Sequence, residues 1–329
     1  MKLDIIVPHY KEPWEICRYL FDTIACQRGI DMNDIRVLVV NDGDEVLLDE
    51  KNFANYPYKI EYLVKEHGGV SDTRNAGLMY SDADYVMFCD IDDGFLSNYG
   101  LHLIFNAMTE TNFDFLNAAF VEETITESNE LAIVLHNKDL TFMHGKAYRR
   151  KFLLDNDILF DPAMTIHEDG YFNMLAYAVS NRSGVQKSVD TPIYLWRWND
   201  QSVVRRDRED FTLKTYDHVM RARIGICNEM KRRGYQEEFE ASVCMTVLNS
   251  YYDFQKTAWR QSKYEKQMKA ALQAFKGFYK LFRKDFQNCT NLQIAEYAKV
   301  ARATATSKGM LMEQEDLRSF LRRIDALKG

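Results

Sequence analysis

Tyr85-Val86-Met87-Phe88-Cys89-Asp90-Ile91-Asp92-Asp93 is the stretch on which the reading of the whole chain turns. Five consecutive apolar residues suit a short strand buried on both faces, and the acidic run after them sets several carboxylates at the strand's end. Charges of one sign held that close repel one another unless a cation joins them. Hard divalent ions such as Mg²⁺ or Mn²⁺ prefer oxygen ligands, use few protein carboxylates and complete their shell with water and substrate phosphates, so the run points to a diphosphate-bearing substrate. If the strand continues, Asp90 and Asp92 share a face, whereas Asp93 turns away or lies in the loop. Plain loop acidity is the competing reading.

Outward from this stretch, Leu3–Val7, Ile35–Val40, Lys59–Val64 and Phe113–Phe120 also read as short buried strands. Helical patterns fall between them. Pro13 suits a first helical turn, Ile16, Leu20 and Ile24 recur on one face, and Gly29 is placed to stop that helix. A second helix is expected after Gly68-Gly69 and a third from about Gly100 to Thr111. Strands alternating with helices give an α/β, Rossmann-like domain with a mostly parallel central sheet, whose ligands lie beyond the carboxyl ends of the strands. From about residue 206 the pattern is helical only, so the expected division is 1–205 and 206–329. Phe275, Phe278, Tyr279, Phe282 and Phe286 form an apolar stripe that suits either packing or docking to a membrane surface.

The chain has 329 residues, 46% of them hydrophobic and 28% charged, with few Gly and Pro, a composition that argues against long disorder. Its N-terminus lacks the plan of a secretory signal, and no apolar run approaches the length of a membrane span. Six cysteines without CxxC pairing read as reduced thiols and imply a cytoplasmic location, and the seven histidines show no zinc-ligand spacing. Residues 210–329 carry 22 Lys and Arg against 14 Asp and Glu, whereas the preceding residues carry 20 against 35. A basic C-terminal region can attract nucleic acid, a polyphosphate polymer or a membrane surface, and ordinary solvated helix faces account for it equally.

Three further signals stand at strand ends or helix starts. Asp42, in Val40-Asn41-Asp42-Gly43, fits either a turn or a carboxylate that accepts the imide N–H of a pyrimidine. Gly68-Gly69 ahead of Arg74 allows backbone N–H groups and a guanidinium to approach phosphate, or simply a capped surface helix. Glu168-Asp169 opens a helix at Gly170–Val179, where acidic side chains are favourable caps and where a base needs desolvation to offset the helix dipole.

Taken in order, Ile6-Val7-Pro8-His9-Tyr10, Val40-Asn41-Asp42-Gly43, Arg74-Asn75-Ala76-Gly77, Asp90-Ile91-Asp92-Asp93, Gly145-Lys146-Ala147-Tyr148-Arg149-Arg150 and Glu168-Asp169 resemble the family 2 glycosyltransferases of the type A (GT-A) fold over roughly residues 3–205. The resemblance implies that Pro8 and Tyr10 line the nucleotide pocket and that Asp42 meets the base, usually uridine. It sets Arg74 by the diphosphate, Asp90 at the ribose or the metal's water, and Asp92 on Mn²⁺ or Mg²⁺. Gly145 and Lys146 fall on the floor of the sugar pocket, Glu168 beside it, and Asp169 matches the general base. Thr191–Arg197 resembles the strand that closes the donor site, with Arg197 toward the donor. His9 and Lys11 depart from the family's usual residues there.

The implied enzyme is an inverting, metal-dependent glycosyltransferase moving a sugar from a nucleotide diphosphate donor, a UDP-sugar above all, to a hydroxyl of a bacterial surface glycan or related polymer. Transfer to hydroxylated bases of DNA is the alternative, suggested by Arg205, Arg206, Arg208, Lys214, Arg221, Arg223 and Lys231-Arg232-Arg233. A non-catalytic nucleotide-binding module is the third reading. The helical region would bind the acceptor or serve structure, with peripheral membrane contact open to it.

Overall fold

The structure is a computed structural model that describes residues 1–45, 47–126, 128–200, 211–307 and 309–327. The chain divides into two compact units, Met1–Asp200 and Gln201–Gly329. In the first, nine strands form one sheet: β1 (Leu3–His9), β2 (Ile35–Asn41), β3 (Lys59–Val64), β4 (Tyr85–Phe88), β5 (Gly94–Phe95), β6 (Phe115–Ile125), β7 (Leu131–His136), β8 (Lys146–Arg149) and β9 (Gln186–Trp196). Their order is β3-β2-β1-β4-β8-β6-β9-β5, with β7 paired to β6. Strands β1 to β4 are mutually parallel, as are β6 and β9, and β8 joins the two groups by running antiparallel to both β4 and β6.

Strands β1, β2 and β4 are buried along nearly their whole length, which is why they read as unbroken apolar runs rather than alternating ones. Helix α1 (Trp14–Ala25) buries Cys17, Leu20, Phe21 and Ile24, and its chain direction is set by Pro13 at the cap. Helix α2 (Val70–Tyr80) packs on β1 and β2 closely enough that a side chain at Gly77 would run into Ile6. Helix α3 spans Gly100–Thr111, α4 Arg150–Asp155 and α5 Glu168–Ser183. Because β1 to β4 point the same way, the segments after His9, Asn41, Val64 and Phe88 all emerge at one edge of the sheet, the edge where ligands of open α/β sheets sit.

The second unit is helical, with its longer helices at Tyr216–Arg232, Gln236–Asp253, Glu265–Gln287, Asn291–Ser307 and Leu317–Ala326. Phe275, Phe278, Tyr279, Phe282 and Phe286 are all buried, and Phe275 stacks on Phe320 while Phe282 meets Phe239 edge-on. The stripe is therefore core. Among the described residues no helix is long and apolar enough to cross a membrane. Arg205, Arg206 and Arg208 lie outside the described residues, and Arg232 and Arg233 both bond Glu229.

Candidate active site

Strand β4 ends at Phe88, and Asp90 to Asp93 form a turn closed by Asp93 N–H donating to the Asp90 carbonyl at 3.2 Å. Strand alternation therefore does not reach Asp92. A turn brings its first and fourth residues together, so Asp90 is grouped with Asp93, which is turned inward and buried rather than directed into the loop. Asp93 accepts from the Arg197 backbone N–H at 2.9 Å and from the Tyr194 hydroxyl at 3.0 Å. Asp92 accepts from Asn199 Nδ2 at 2.7 Å and its carbonyl accepts from Arg197 Nη1 at 3.2 Å, so its carboxylate is drawn to the chain that follows β9.

His144, one residue before the Gly145-Lys146 pair, completes the group: ligand atoms of Asp90, Asp93 and His144 lie within 4.8 Å of one another. The imidazole is held by rings, stacked on Tyr194 at 5.0 Å and against Trp196 and Phe142. Burial drives its pKa down to about 3, so it is neutral and has a lone pair to offer. Burial, with Asp92 and Asp90 nearby, pushes the Asp93 carboxyl well above its ordinary range, which is the signature of a cluster short of positive charge. Two carboxylates and a neutral imidazole are a donor set that suits Mn²⁺ and, less well, Mg²⁺. The residues present fit a divalent ion.

Arg74 occupies the centre of the second cluster. From the middle of α2 its Nη2 donates to Asp90 Oδ1 at 2.9 Å, and its Nη1 donates to Asp169 Oδ1 at 2.6 Å and Glu168 Oε1 at 3.2 Å. Its side chain is only 4% exposed and lies over the Phe160 ring. The guanidinium thus faces inward onto three carboxylates rather than outward toward a diphosphate. Asp169 sits at the start of α5, where its Oδ2 also accepts the Met143 N–H at 3.2 Å. Burial raises its pKa to about 7; Arg74 opposes the rise and Glu168 and Asp90 reinforce it. Burial also tends to raise Asp90, but Arg74 and then His144 outweigh it and keep that carboxyl low.

At the far side of the same edge, Asp42 follows β2. Its Oδ1 accepts from Lys65 Nζ and the Gly68 N–H, both at 2.9 Å, and its Oδ2 from the Gly69 N–H at 2.9 Å. Burial works to raise the pKa of this carboxyl, yet these bonds hold it below its usual value, so it remains an anionic acceptor. Tyr10 is 39% exposed and stacks on His67 at 4.9 Å, while Pro8 is half-buried opposite Val40. His9, by contrast, is buried, with Nε2 at 2.9 Å from the Glu12 carbonyl and Nδ1 at 3.1 Å from Asn41 Nδ2, which accounts for its departure as a matter of packing.

Lys146 is fully buried, its Nζ donating to the His144 carbonyl at 3.2 Å, and burial lowers its pKa to about 8. Gly145 holds φ +70°, and a Cβ there would stand 2.9 Å from the Ala118 carbonyl oxygen. Arg197 stacks on Tyr19 with its guanidinium 3.9 Å from the ring centre. Of the expected residues, Asp90, Glu168 and Asp169 are brought together around Arg74, Asp42 is held by Lys65, Gly68 and Gly69, and Lys146 is buried beside His144. His144 was not foreseen, because a lone histidine carries no spacing signal and only its position beside Gly145-Lys146 could have marked it; Tyr194 lies within the expected closing strand Thr191–Arg197, but its bond to Asp93 was not foreseen.

A model of the Glycosyl transferase family 2 matches residues 4–164. The N-terminal unit is a family 2 glycosyltransferase domain. The chain is accordingly a glycosyltransferase, and it is similar to proteins that share the pattern over more of its length. The glycosyltransferase EpsJ of Bacillus subtilis is 25% identical over 270 residues, 75% of this chain and 76% of that protein. The poly(ribitol-phosphate) β-N-acetylglucosaminyltransferase TarS of Staphylococcus aureus is 25% identical over 278 residues, 78% of this chain but 45% of TarS, so this chain spans less than half of that relative. The crystal structure of S. aureus TarS 1–349 in complex with UDP-GlcNAc superposes with a TM-score of 0.57 at 16% identity, covering 96% of this chain and 98% of that one. The fold is that of the GT-A enzymes, a mixed α/β sheet followed by helices.

Proposed function

We propose that the protein transfers a sugar from a UDP-sugar to a hydroxyl of a polyol-phosphate or related surface polymer, with inversion at the anomeric carbon. The observation that carries this reading is the convergence on Arg74 of carboxylates from the turn after β4 and from the start of α5. It aligns an acidic pair able to sit near a diphosphate with a carboxylate whose pKa lies near neutrality. TarS acts on poly(ribitol-phosphate) and has been crystallised with UDP-GlcNAc, which supports this class of acceptor and donor for a chain of like fold.

In this reading Tyr10, Pro8 and the ionised Asp42 frame the uracil, whose imide N–H needs an acceptor. Asp90, Asp93 and His144 would hold a Mn²⁺ or Mg²⁺, which supplies positive charge to the departing diphosphate when bound. Asp169 takes the acceptor's proton at a carboxylate oxygen as the hydroxyl attacks, and Arg74 with the Met143 N–H fixes that carboxylate's direction. One base and a single displacement invert the configuration. The helical unit serves acceptor binding, with net positive charge suited to a polyanion. The DNA reading gains nothing from Arg232 and Arg233, which are engaged by Glu229.

The test is Asp169→Asn. Donor binding by calorimetry should stay within a few-fold of wild type, while sugar transfer to a polyol-phosphate polymer, followed by mass, should fall by about 10²-fold or more. Near-normal turnover in that variant removes Asp169 from the role.

A further inference from the structure

Strand β7 is unlike the rest of the sheet. Among the described residues it pairs with β6 alone, so its other backbone edge is open. Leu131, Ile133 and Leu135 project from one face and are 59%, 59% and 60% exposed, with Val134 40% exposed on the other. Large apolar side chains standing in a row on an open edge are what folded proteins ordinarily avoid, by placing Lys or Pro, bulges or a covering helix there. Residues 131–136 contain none of these residues, and the pairing of β6 with β7 runs through six consecutive residue pairs without a register shift.

The sequence of this edge is self-complementary. Leu131-Ala132-Ile133-Val134-Leu135 has large residues at 131, 133 and 135 in either direction about Ile133, with the smaller Ala132 and Val134 between them. An antiparallel partner centred on Ile133 sets Leu131 against Leu135, Ile133 against Ile133 and Leu135 against Leu131 of the second copy, all on the face that is now exposed. The other face pairs Ala132 with Val134, and every open N–H and C=O of the edge gains a partner. A one-residue slip in this pairing would set an exposed-face residue against one from the other face, which antiparallel alternation forbids, and a two-residue slip leaves a leucine opposite a polar residue. We propose that β7 is a homodimerisation edge, through which two copies of this chain continue one sheet across a twofold axis at Ile133.

The contact is short, so the dimer is weak and concentration-dependent rather than obligate. The inference does not rest on the assigned reaction and can fail or hold independently of it.

The test uses the full chain in sedimentation velocity over a range of concentrations reaching well above micromolar. Wild type should shift from monomer to dimer, and Ile133→Lys and Ile133→Glu should each remain monomeric because like charges face one another at the axis. Mixing these two variants should restore a dimer, since only the mixed pair sets Lys against Glu. Glycosyl transfer per chain at low concentration should be the same in all three. A monomeric wild type throughout the range overturns the proposal, as does a dimer that survives Ile133→Lys or variants that do not recombine. Wild type that stays monomeric but floats with anionic or neutral phospholipid vesicles, and loses this in Ile133→Lys, overturns it in favour of a lipid surface.

Discussion

Replacing Arg74 with alanine removes the cation that bonds Asp90, Glu168 and Asp169 together, and the consequence can be worked from its geometry. The Glu168 and Asp169 side chains are 12% and 17% exposed, so their charges are poorly served by water once the guanidinium is gone. Asp90, at 35% exposed, is better solvated and counts for less. Removing one partner of a buried ion pair costs about 3–5 kcal/mol. For a unit of this size that corresponds to a fall in its melting temperature of roughly 10 °C. The loss has a pH signature. Without Arg74 the Asp169 carboxyl, already raised by burial, rises further above its value in the unfolded chain, and Asp90 loses the main influence that holds it low, so the variant loses stability as pH rises through the Asp169 pKa and recovers it as pH falls and the carboxyl takes up a proton. Scanning fluorimetry at about pH 5 and about pH 8 should therefore show the larger deficit at the higher pH. A variant that melts within a degree or two of wild type at both values would refute the claim that Arg74 is the electrostatic keystone of the site.

Transfer by the wild-type protein should rise with pH through about 7, because Asp169 must be unprotonated to act as a base and burial has raised its pKa to that region. Glu168→Gln, which removes a neighbouring like charge, should move the profile of kcat/KM to lower pH, and an unmoved profile contradicts the assignment. His144→Ala should weaken Mn²⁺ uptake about 10–100-fold in calorimetry, the scale of a lost ligand or its support; undiminished uptake removes it from the donor set. Gly145→Ala forces a Cβ toward the Ala118 carbonyl at positive φ, and should destabilise the first unit by more than about 1 kcal/mol in a denaturant titration.

The unbroken apolar runs made β1, β2 and β4 legible, because strands of a parallel sheet are covered on both faces and have no polar alternation to obscure them, whereas β3, expected as a buried strand, has Lys59 and Glu61 in it and no buried residue. Helices α2 and α3 were equally plain from Gly69 and from the spacing of Leu101, Ile104, Phe105 and Met108, although of these four Phe105 is only half-buried. What could not be read was geometry made by turns. Extending strand alternation past Phe88 paired Asp90 with Asp92, whereas the chain turns and pairs Asp90 with Asp93. Arg74 looked like a phosphate ligand because its position opposite three carboxylates depends on how α2 and α5 pack, which no local pattern encodes. Strands β7 and β8 were missed for a different reason: β8 is only four residues long, and β7 lies at an edge with both faces partly open, so neither has the signature of a buried strand.

The central claim is that the acidic turn after β4, with His144, gathers a divalent ion and a nucleoside diphosphate at one place. Calorimetric titration of UDP into wild type and into Asp93→Asn, each with and without Mn²⁺, tests it most directly. The account requires UDP binding by wild type that is strengthened strongly by Mn²⁺, and loss of that strengthening in Asp93→Asn. UDP binding of equal strength with and without Mn²⁺, or a Mn²⁺ effect untouched by Asp93→Asn, would contradict it.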